Sequence, residues 1–339
     1  MDALYKPVRG LGPVVVALVA LLAGAINAAP AIAQTASTSS GQGYPAKAIR
    51  VIVPYPAGGT SDILTRLIGA RLTESWGQQI IADNRTGAGG NIGAELTARA
   101  APDGYTLMLT DIGNMVSNSI LYSKIPFDFL KDFAPVTTVS YSPHLLAVHP
   151  SVPVKTTQQL VALAKARPGK LNFATSLGGM PHLAGLMFAQ RTGVNWVYIP
   201  TKGGAQTTFA VATGDSDVMF LGILQTLPHV NTGKVKVIAA SSEQRLPALP
   251  DTPTVAEMLP GFVTGSWQGI VAPARTPPDV VAKLYGEVTR ILKLPDVIEV
   301  LVSQGTTPLA TSPQDTGRWL ASERERWVKV IRESGFKLE

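Results

Sequence analysis

Short apolar runs alternate with longer stretches whose apolar positions recur every three or four residues, and this rhythm persists from residue 49 nearly to the end of the chain. Ile49 to Val53 is apolar apart from Arg50, the pattern of a strand buried on both faces. A helix is predicted from about Ser61 to Ser75, with Ser61 and Asp62 as an acidic, capping start. Gln79 to Ala82 then reads as a strand, Ile92 to Ala100 as a helix, and Tyr105 to Leu109 as a third strand. The pattern renews itself with strands at Ala134–Val139 and Leu145–His149, a helix at Thr156–Arg167 and a strand at Leu171–Thr175. Next come a helix at His182–Arg191, a strand at Asn195–Ile199, a helix at Gln206–Thr213 and a strand at Val218–Leu221. Leu227–Thr232 reads as helix, and Val235–Ala240 and Gly269–Ala272 as strands. Helices at Pro278–Leu292, Pro295–Ser303 and Pro313–Glu333 close the chain. Repeated strand–helix units predict an α/β fold with a parallel sheet covered by helices on both faces.

Four glycine-rich turns punctuate this order at the strand-to-helix junctions. They are Pro54 to Asp62, Asn84 to Gly93, Ser176 to Pro181, and Thr201 to Gly204. Glycine lets backbone N–H groups approach a ligand at a helix N-terminus, where the macrodipole favours negative charge. In open α/β sheets ligands bind beyond the carboxyl ends of the strands. Two turns in each half therefore imply two lobes facing one anion-binding cleft.

The N-terminus changes the compartment. Lys6 and Arg9 precede an uncharged apolar run, Val14 to Ala25, and Ala31-Ile32-Ala33 offers small residues for cleavage. Twelve apolar residues are short against the roughly 20 that a membrane span needs. Residues 1–33 are expected to be a removed signal peptide, with the Ser/Thr/Gly-rich segment 34–43 as a solvated leader. The formal charge of +6 would fit nucleic acid, but the basic residues are dispersed and aromatics make up 6%. A surface that attracts acidic solutes is the reading favoured here, with no nucleic acid as partner. The chain has no cysteine, which excludes disulfides and thiolate chemistry.

Catalytic patterns are missing. There is no G-x-S-x-G nucleophile elbow and no P-loop, and His144, His149, His182 and His229 form no metal-ligand spacing. Gly87 to Gly93 has the spacing G-x-G-x-x-x-G, which departs from the dinucleotide fingerprint. No catalytic residue, metal or cofactor is expected. For the remaining candidates two readings stand side by side. His182 either contacts an anion or bonds the loop behind it. Asp62 caps its helix or braces its turn, because a carboxylate facing an anion would repel it. Lys202 either approaches the cleft or is solvated. Tyr55 is expected at the ligand, and Trp267 with Gln268 lines the hinge or packs between lobes.

Taken together, the motifs Pro54 to Asp62, Asn84 to Gly93, Pro102 to Leu107, Ile125 to Asp128, Asp132 to Val136, His182 to Gly185, Leu227 to Val230 and Leu249 to Thr254 resemble the Bug family. That family comprises periplasmic solute receptors of tripartite tricarboxylate transporters, and the similarity covers essentially the whole mature chain. The resemblance implies a two-lobed Venus-flytrap fold of the periplasmic-binding-protein type. It places residues 44–143 plus 266–339 in one lobe and 144–265 in the other. It implies a carboxylate held mainly by backbone amides and small hydroxyls, and membrane permease subunits as partners; a monomer is expected. Carried over by position, Tyr55, Ala57, Gly58, Gly59, Thr60 and Ser61 form the first clamp, with Gly87, Ala88, Gly89, Gly90 and Asn91 beside it. Ser176, Gly178, Gly179 and His182 form the opposing clamp, helped by Thr201, Lys202 and Gly203.

Two departures from the family pattern matter. The turn from Ser176 to Pro181 is about one residue shorter than usual. Leu221 stands where many relatives carry aspartate, the countercharge suited to an amino acid's ammonium group. An unpaired buried ammonium costs several kcal/mol. The expected ligand is therefore a dicarboxylate or aromatic carboxylate without an amine, with Leu221 as an apolar wall. A sensory receptor that presents its loaded form to a signalling partner has the same sequence requirements. An exported enzyme using the cleft would need a nucleophile–base pair that is not present.

Overall fold

The computed structural model describes residues 43–303 and 305–337. The expected signal peptide, residues 1–33, and most of the leader lie outside them. The first half begins β1 (Ile49–Val53), α1 (Thr60–Trp76), β2 (Ile80–Asn84), a 3-10 turn at Ala88–Gly90 and α2 (Asn91–Ala98). It continues with β3 (Thr106–Asp111), α3 (Ile112–Leu121) and β4 (Phe133–Val148). The second half runs α4 (Thr157–Ala166), β5 (Asn172–Thr175), α5 (Met180–Thr192), β6 (Val197–Pro200), α6 (Gly204–Thr213), β7 (Val218–Gly222), α7 (Ile223–Asn231) and β8 (Lys236–Ala240). The chain ends with β9 (Gly265–Pro273), α8 (Pro278–Leu292), α9 (Pro295–Ser303), β10 (Thr307–Pro308) and α10 (Pro313–Ser334).

The strands follow the order β2-β1-β3-β9-β4-β7-β5-β6, with β8 and β10 also paired to β4. Parallel pairing, as expected from the strand–helix units, holds for β1 with β2 and β3, and for β5 with β6 and β7. The centre differs: β9 is antiparallel to β3 and β4, and β4 is antiparallel to β7 and β8. The two runs expected at Ala134–Val139 and Leu145–His149 are one strand. Its residues 133–143 pair with β9 and its residues 144–148 with β7 and β8. Pro143, between the two runs, reads as a strand breaker. Here it faces Gly265 at the end of the β9 pairing.

Helix α3 is absent from the sequence expectation, because Gly113, Asn114, Ser117 and Asn118 disfavour a helix interior. It forms because Asp111 caps it, accepting the Asn114 N–H at 3.1 Å, and because Ile112, Met115 and Val116 are buried. Apolar clusters lie on both sides of the sheet. One gathers Leu64, Ile68, Leu284, Val288 and Ile291 against β1 and β3. The other joins Met115, Leu183, Phe188, Phe220, Phe262 and Trp327. Helix α10 packs on α3, β4 and α5, so it bridges the two halves.

Candidate functional site

Strands β1, β2 and β3 point the same way, so the chain leaves all three at one edge of the sheet; β5, β6 and β7 do the same in the second half. Six helices, α1, α2, α3, α5, α6 and α7, therefore begin along those edges. The two edges meet. A Cβ built on Gly113, at the start of α3, would lie 3.7 Å from Met180 Cε at the start of α5 and 3.6 Å from the Trp267 ring. Two surface depressions, of about 510 and 420 Å³, flank α1 and do not touch these turns.

The first and third turns share one backbone design. Gly58 and Gly178 have φ of +80° and +78°, a left-handed conformation suited to glycine. Gly59 and Gly179 follow at φ/ψ of −78°/167° and −74°/164° and cap α1 and α5. Gly59 N–H bonds Pro56 O at 3.3 Å, and Gly179 N–H bonds Ser176 O at 3.1 Å. Each turn is braced from four residues ahead. Asp62 Oδ2 accepts the Gly58 N–H at 2.9 Å, and His182 Nδ1 accepts the Gly178 N–H at 3.2 Å. The short spacing of the third turn thus reproduces the first.

Asp62 is buried and held below its ordinary value, chiefly by its hydrogen bonds from Arg66 and also by the Gly58 N–H. Of its two expected roles it takes the brace. His182 is fully buried, and burial pushes its imidazole down to about 4. A neutral ring with its proton on Nε2 is what lets Nδ1 accept. Tyr198 and Phe336 pack edge-on against the ring at 4.8 and 4.4 Å between centroids. His182 Nδ1 bonds the loop behind it, as one of its two readings expects, while its Nε2 is buried without a hydrogen-bond partner.

Tyr55 ties the first two turns to α3. Its hydroxyl accepts from Asn114 Nδ2 at 3.1 Å, and its carbonyl accepts from Asn84 Nδ2 at 3.0 Å. Gly89 O accepts from Asn114 and Asn118, and Asn118 also donates to Asn91 Oδ1 at 2.9 Å. In the second turn Gly87, Gly89 and Gly90 all have positive φ, and so does Ala88 at +48°. A side chain at Gly90 would strike Met115 Cε at 2.7 Å and touch Pro54 and Tyr55 at 3.4 and 3.5 Å, so glycine there permits the close approach of the second turn to α3. Ala57 and Gly58 are exposed, and Gly59 and Thr60 are half-buried.

In the second half, Ser176 and Thr201 are half-buried beside each other, with Thr201 N–H bonded to Thr175 O at 2.9 Å. Lys202 is exposed, and its N–H donates to Gln206 Oε1 at 2.6 Å. Gly203 precedes α6 at φ +148°. Leu221 is buried, 4% exposed, in a small cluster with Ala147, Ala174, Val211, Met219 and Val235.

Four residues at this edge were not placed there by sequence reasoning: Asp111, Asn114, Ser266 and, as a bonded partner of the first clamp, Gln268. Ser61 Oγ donates to Gln268 Oε1 at 2.6 Å, Gln268 Nε2 to Ser266 Oγ at 2.9 Å, and Ser266 Oγ to Asp111 Oδ2 at 2.5 Å. Asp111, directly after a strand, is an N-cap type and so a readable helix-start signal.

The arrangement offers backbone N–H groups and small hydroxyls at helix N-termini, with its carboxylates turned to bracing. That is a place to hold an anion. Comparisons with known proteins agree with this form. BugT of Bordetella pertussis is 35% identical over 312 residues, 91% of this chain and 96% of that protein. The R. palustris protein Rpa4515, solved with adipate, superposes with a TM-score of 0.79 at 35% identity, covering 86% of this chain and 98% of that one. MatC from Rhodopseudomonas palustris, solved with bound malate, gives a TM-score of 0.74 at 32% identity, covering 85% and 100%. These folds are the two-lobed architecture of periplasmic binding proteins. The profile of the tripartite tricarboxylate transporter family receptor, TctC, matches residues 64–336, and the chain belongs to this family of Bug-type solute-binding receptors.

Proposed function

We propose that this receptor works in the periplasm, captures a carboxylate that lacks an amine, and delivers it to the membrane permease of a tripartite transporter. The reading rests on one observation: two turns with matching dihedral angles and matching braces, one from each half, at edges that meet between Gly113 and Met180. Residues 44–143 plus 266–339 act as one lobe and 144–265 as the other. Tyr55, Ala57, Gly58, Gly59, Thr60, Ser61 and the segment Gly87–Asn91 hold one end of the ligand. Ser176, Gly178, Gly179, Thr201, Lys202 and Gly203 close on the other, and His182 acts by shaping Gly178. Capture on the first set followed by closure of the second is a hinge motion. A helix N-terminus contributes roughly 0.3–1 kcal/mol to an anion. Several converging N-termini with their hydrogen bonds support affinity near micromolar, about −8 kcal/mol.

Adipate in Rpa4515 and malate in MatC are both dicarboxylates without an amine. The buried, uncharged Leu221 favours the same class, since it gives an ammonium group no partner. The protein is expected to act as a monomer, and no chemical change of the ligand is part of this reading. A thermal-shift screen of mono- and dicarboxylates, followed by calorimetry, tests it. The expected result is stabilisation by unaminated dicarboxylates or aromatic carboxylates. Tighter binding of glutamate or aspartate than of any unaminated acid overturns the ligand class, and no binding of any carboxylate overturns the whole reading.

A further inference from the structure

The hydrogen-bonded series from Ser61 through Gln268 and Ser266 to Asp111 has its direction fixed by counting hydrogens. An ionised Asp111 has none to give, so the Ser266 hydroxyl must donate to it, as it does at 2.5 Å. Ser266 then has no hydrogen left for Gln268, so Gln268 must present its NH₂ to Ser266, at 2.9 Å. The Gln268 carbonyl consequently faces Ser61, whose hydroxyl must donate to it, at 2.6 Å. Ser61 and Gln268 are each 3% exposed, so water does not take over the bond between them, whereas Ser266 and Asp111 are half-buried. In this state Ser61, at the N-terminus of α1, has spent its hydroxyl hydrogen, leaving only its backbone N–H for a carboxylate.

A proton on Asp111 lets every member reverse. The carboxylic acid donates to Ser266, Ser266 donates to a turned Gln268 carbonyl, Gln268 NH₂ donates to Ser61, and the Ser61 hydroxyl hydrogen is released toward the first turn. We propose that the charge state of Asp111 sets the polarity of this relay, so that an anion binds at the first clamp together with one proton from solvent, which resides on Asp111. The inference rests on the anion-binding reading given above and adds a residue and a proton to it.

The surroundings of Asp111 suit such a titration. Burial pushes its carboxyl up to about 6, against the pull of Ser266 and of the Asn114, Trp267 and Gly113 backbone N–H groups. From the first turn the phenol of Tyr55 faces it, and the Asp111 charge is among the causes that raise Tyr55. Asn114 on α3 and Ser266, Trp267 and Gln268 on β9 carry no charge. Among the described residues no ion pair reaches Asp111.

The test is calorimetric titration of adipate and malate in buffers of different ionisation heat, at about pH 6.5, 7.5 and 8.5, where both probes are ionised. The expected result is uptake approaching one proton per bound probe at the higher pH, with affinity falling roughly tenfold per pH unit above the Asp111 titration. Asp111→Asn keeps the cap and donates to Ser266 permanently. It should bind equally at all three values with no proton uptake. Ser266→Ala cuts the relay while sparing the cap, and it should also lose the pH dependence. Binding by the parent protein with no proton uptake, or either variant keeping the parent's pH profile, overturns the proposal. Where the parent binds neither probe, the same titration is run with the carboxylate that the thermal-shift screen selects, and only failure with every carboxylate is a failure of the functional reading instead. The relay is then decided without ligand by NMR. The Gln268 side-chain amide should shift with the same midpoint as the Asp111 carboxyl and hold its low-pH position in Asp111→Asn. An amide signal indifferent to that midpoint refutes the relay.

Discussion

His182 stands to Gly178 as Asp62 stands to Gly58: each accepts the glycine N–H four residues behind it, at 3.2 Å for the imidazole and 2.9 Å for the carboxylate. The two turns have the same shape and differ in the chemistry of the brace. One is a charged group shared with Arg66, and the other is a neutral ring under Tyr198 and Phe336.

His182→Ala should therefore leave the buried Gly178 N–H without an acceptor, a cost of about 1–3 kcal/mol. Binding of adipate or malate should weaken by a similar factor. His182→Asn should recover most of the affinity, because its Oδ1 takes the place of Nδ1. Urea unfolding and calorimetry of both variants at neutral pH check this. Equal affinities for the alanine variant and the parent would show that the brace does not matter to the site.

Gly58→Ala has open space for its Cβ, so its whole cost is the backbone conformation at φ +80°. A loss of about 1–2 kcal/mol is expected. Gly58→Asn should cost less, since asparagine visits this region more readily. Denaturant midpoints of the two variants give the comparison, and the reverse order would contradict the argument.

Acid should destabilise the fold through its buried imidazoles. Burial lowers His144 to about 3 and His182 to about 4. Below an ordinary pKa of about 6.5 the unfolded chain takes up protons that the native state refuses. Stability is thus full above about 6.5 and is lost as pH falls toward the native values. Asp111 acts oppositely: raised to about 6, it stabilises at low pH, and that contribution is lost as pH rises through its native value. His144→Asn, which removes one of the two imidazoles, should flatten the decline between about pH 6.5 and 4.5. An unchanged slope in the urea midpoints would rule out His144 as a source.

Trp327 on α10 is fully buried and donates to Glu323 Oε2 at 2.8 Å, while Arg326 Nη1 reaches Glu323 Oε1 at 3.1 Å. Trp327→Ala should cost about 3–5 kcal/mol. Trp327→Phe keeps most of the volume and leaves Glu323 paired with Arg326, so it should cost clearly less. Thermal melting of both variants settles the difference.

Much of the outer architecture was legible because β1 and β7 are apolar runs and β1, β2, β5 and β6 lead into glycine turns, signals local to a few residues. Helices α8 and α9 carry proline at their starts and were placed to the residue. Helix α3 was not, since its polar interior is overridden by burial of Met115 and Val116 and by the Asp111 cap. The relay was equally hidden. Ser61 and Gln268 are 207 residues apart, and nothing local says that β9 lies beside α1. His182 and Asp62 were legible as alternatives only, ligand contact or loop bond for one and cap or brace for the other, because deciding needs the direction of a side chain.

Strand β4 gives sixteen residues to both ladders, Phe133–Pro143 to one and His144–Val148 to the other. Neither half can melt without tearing bonds from the rib that holds the other. Heating should consequently produce one calorimetric peak, whose van't Hoff and measured enthalpies coincide. If capture closes the two halves as proposed, such a shared spine means that the chain still lives or dies as a unit while they move.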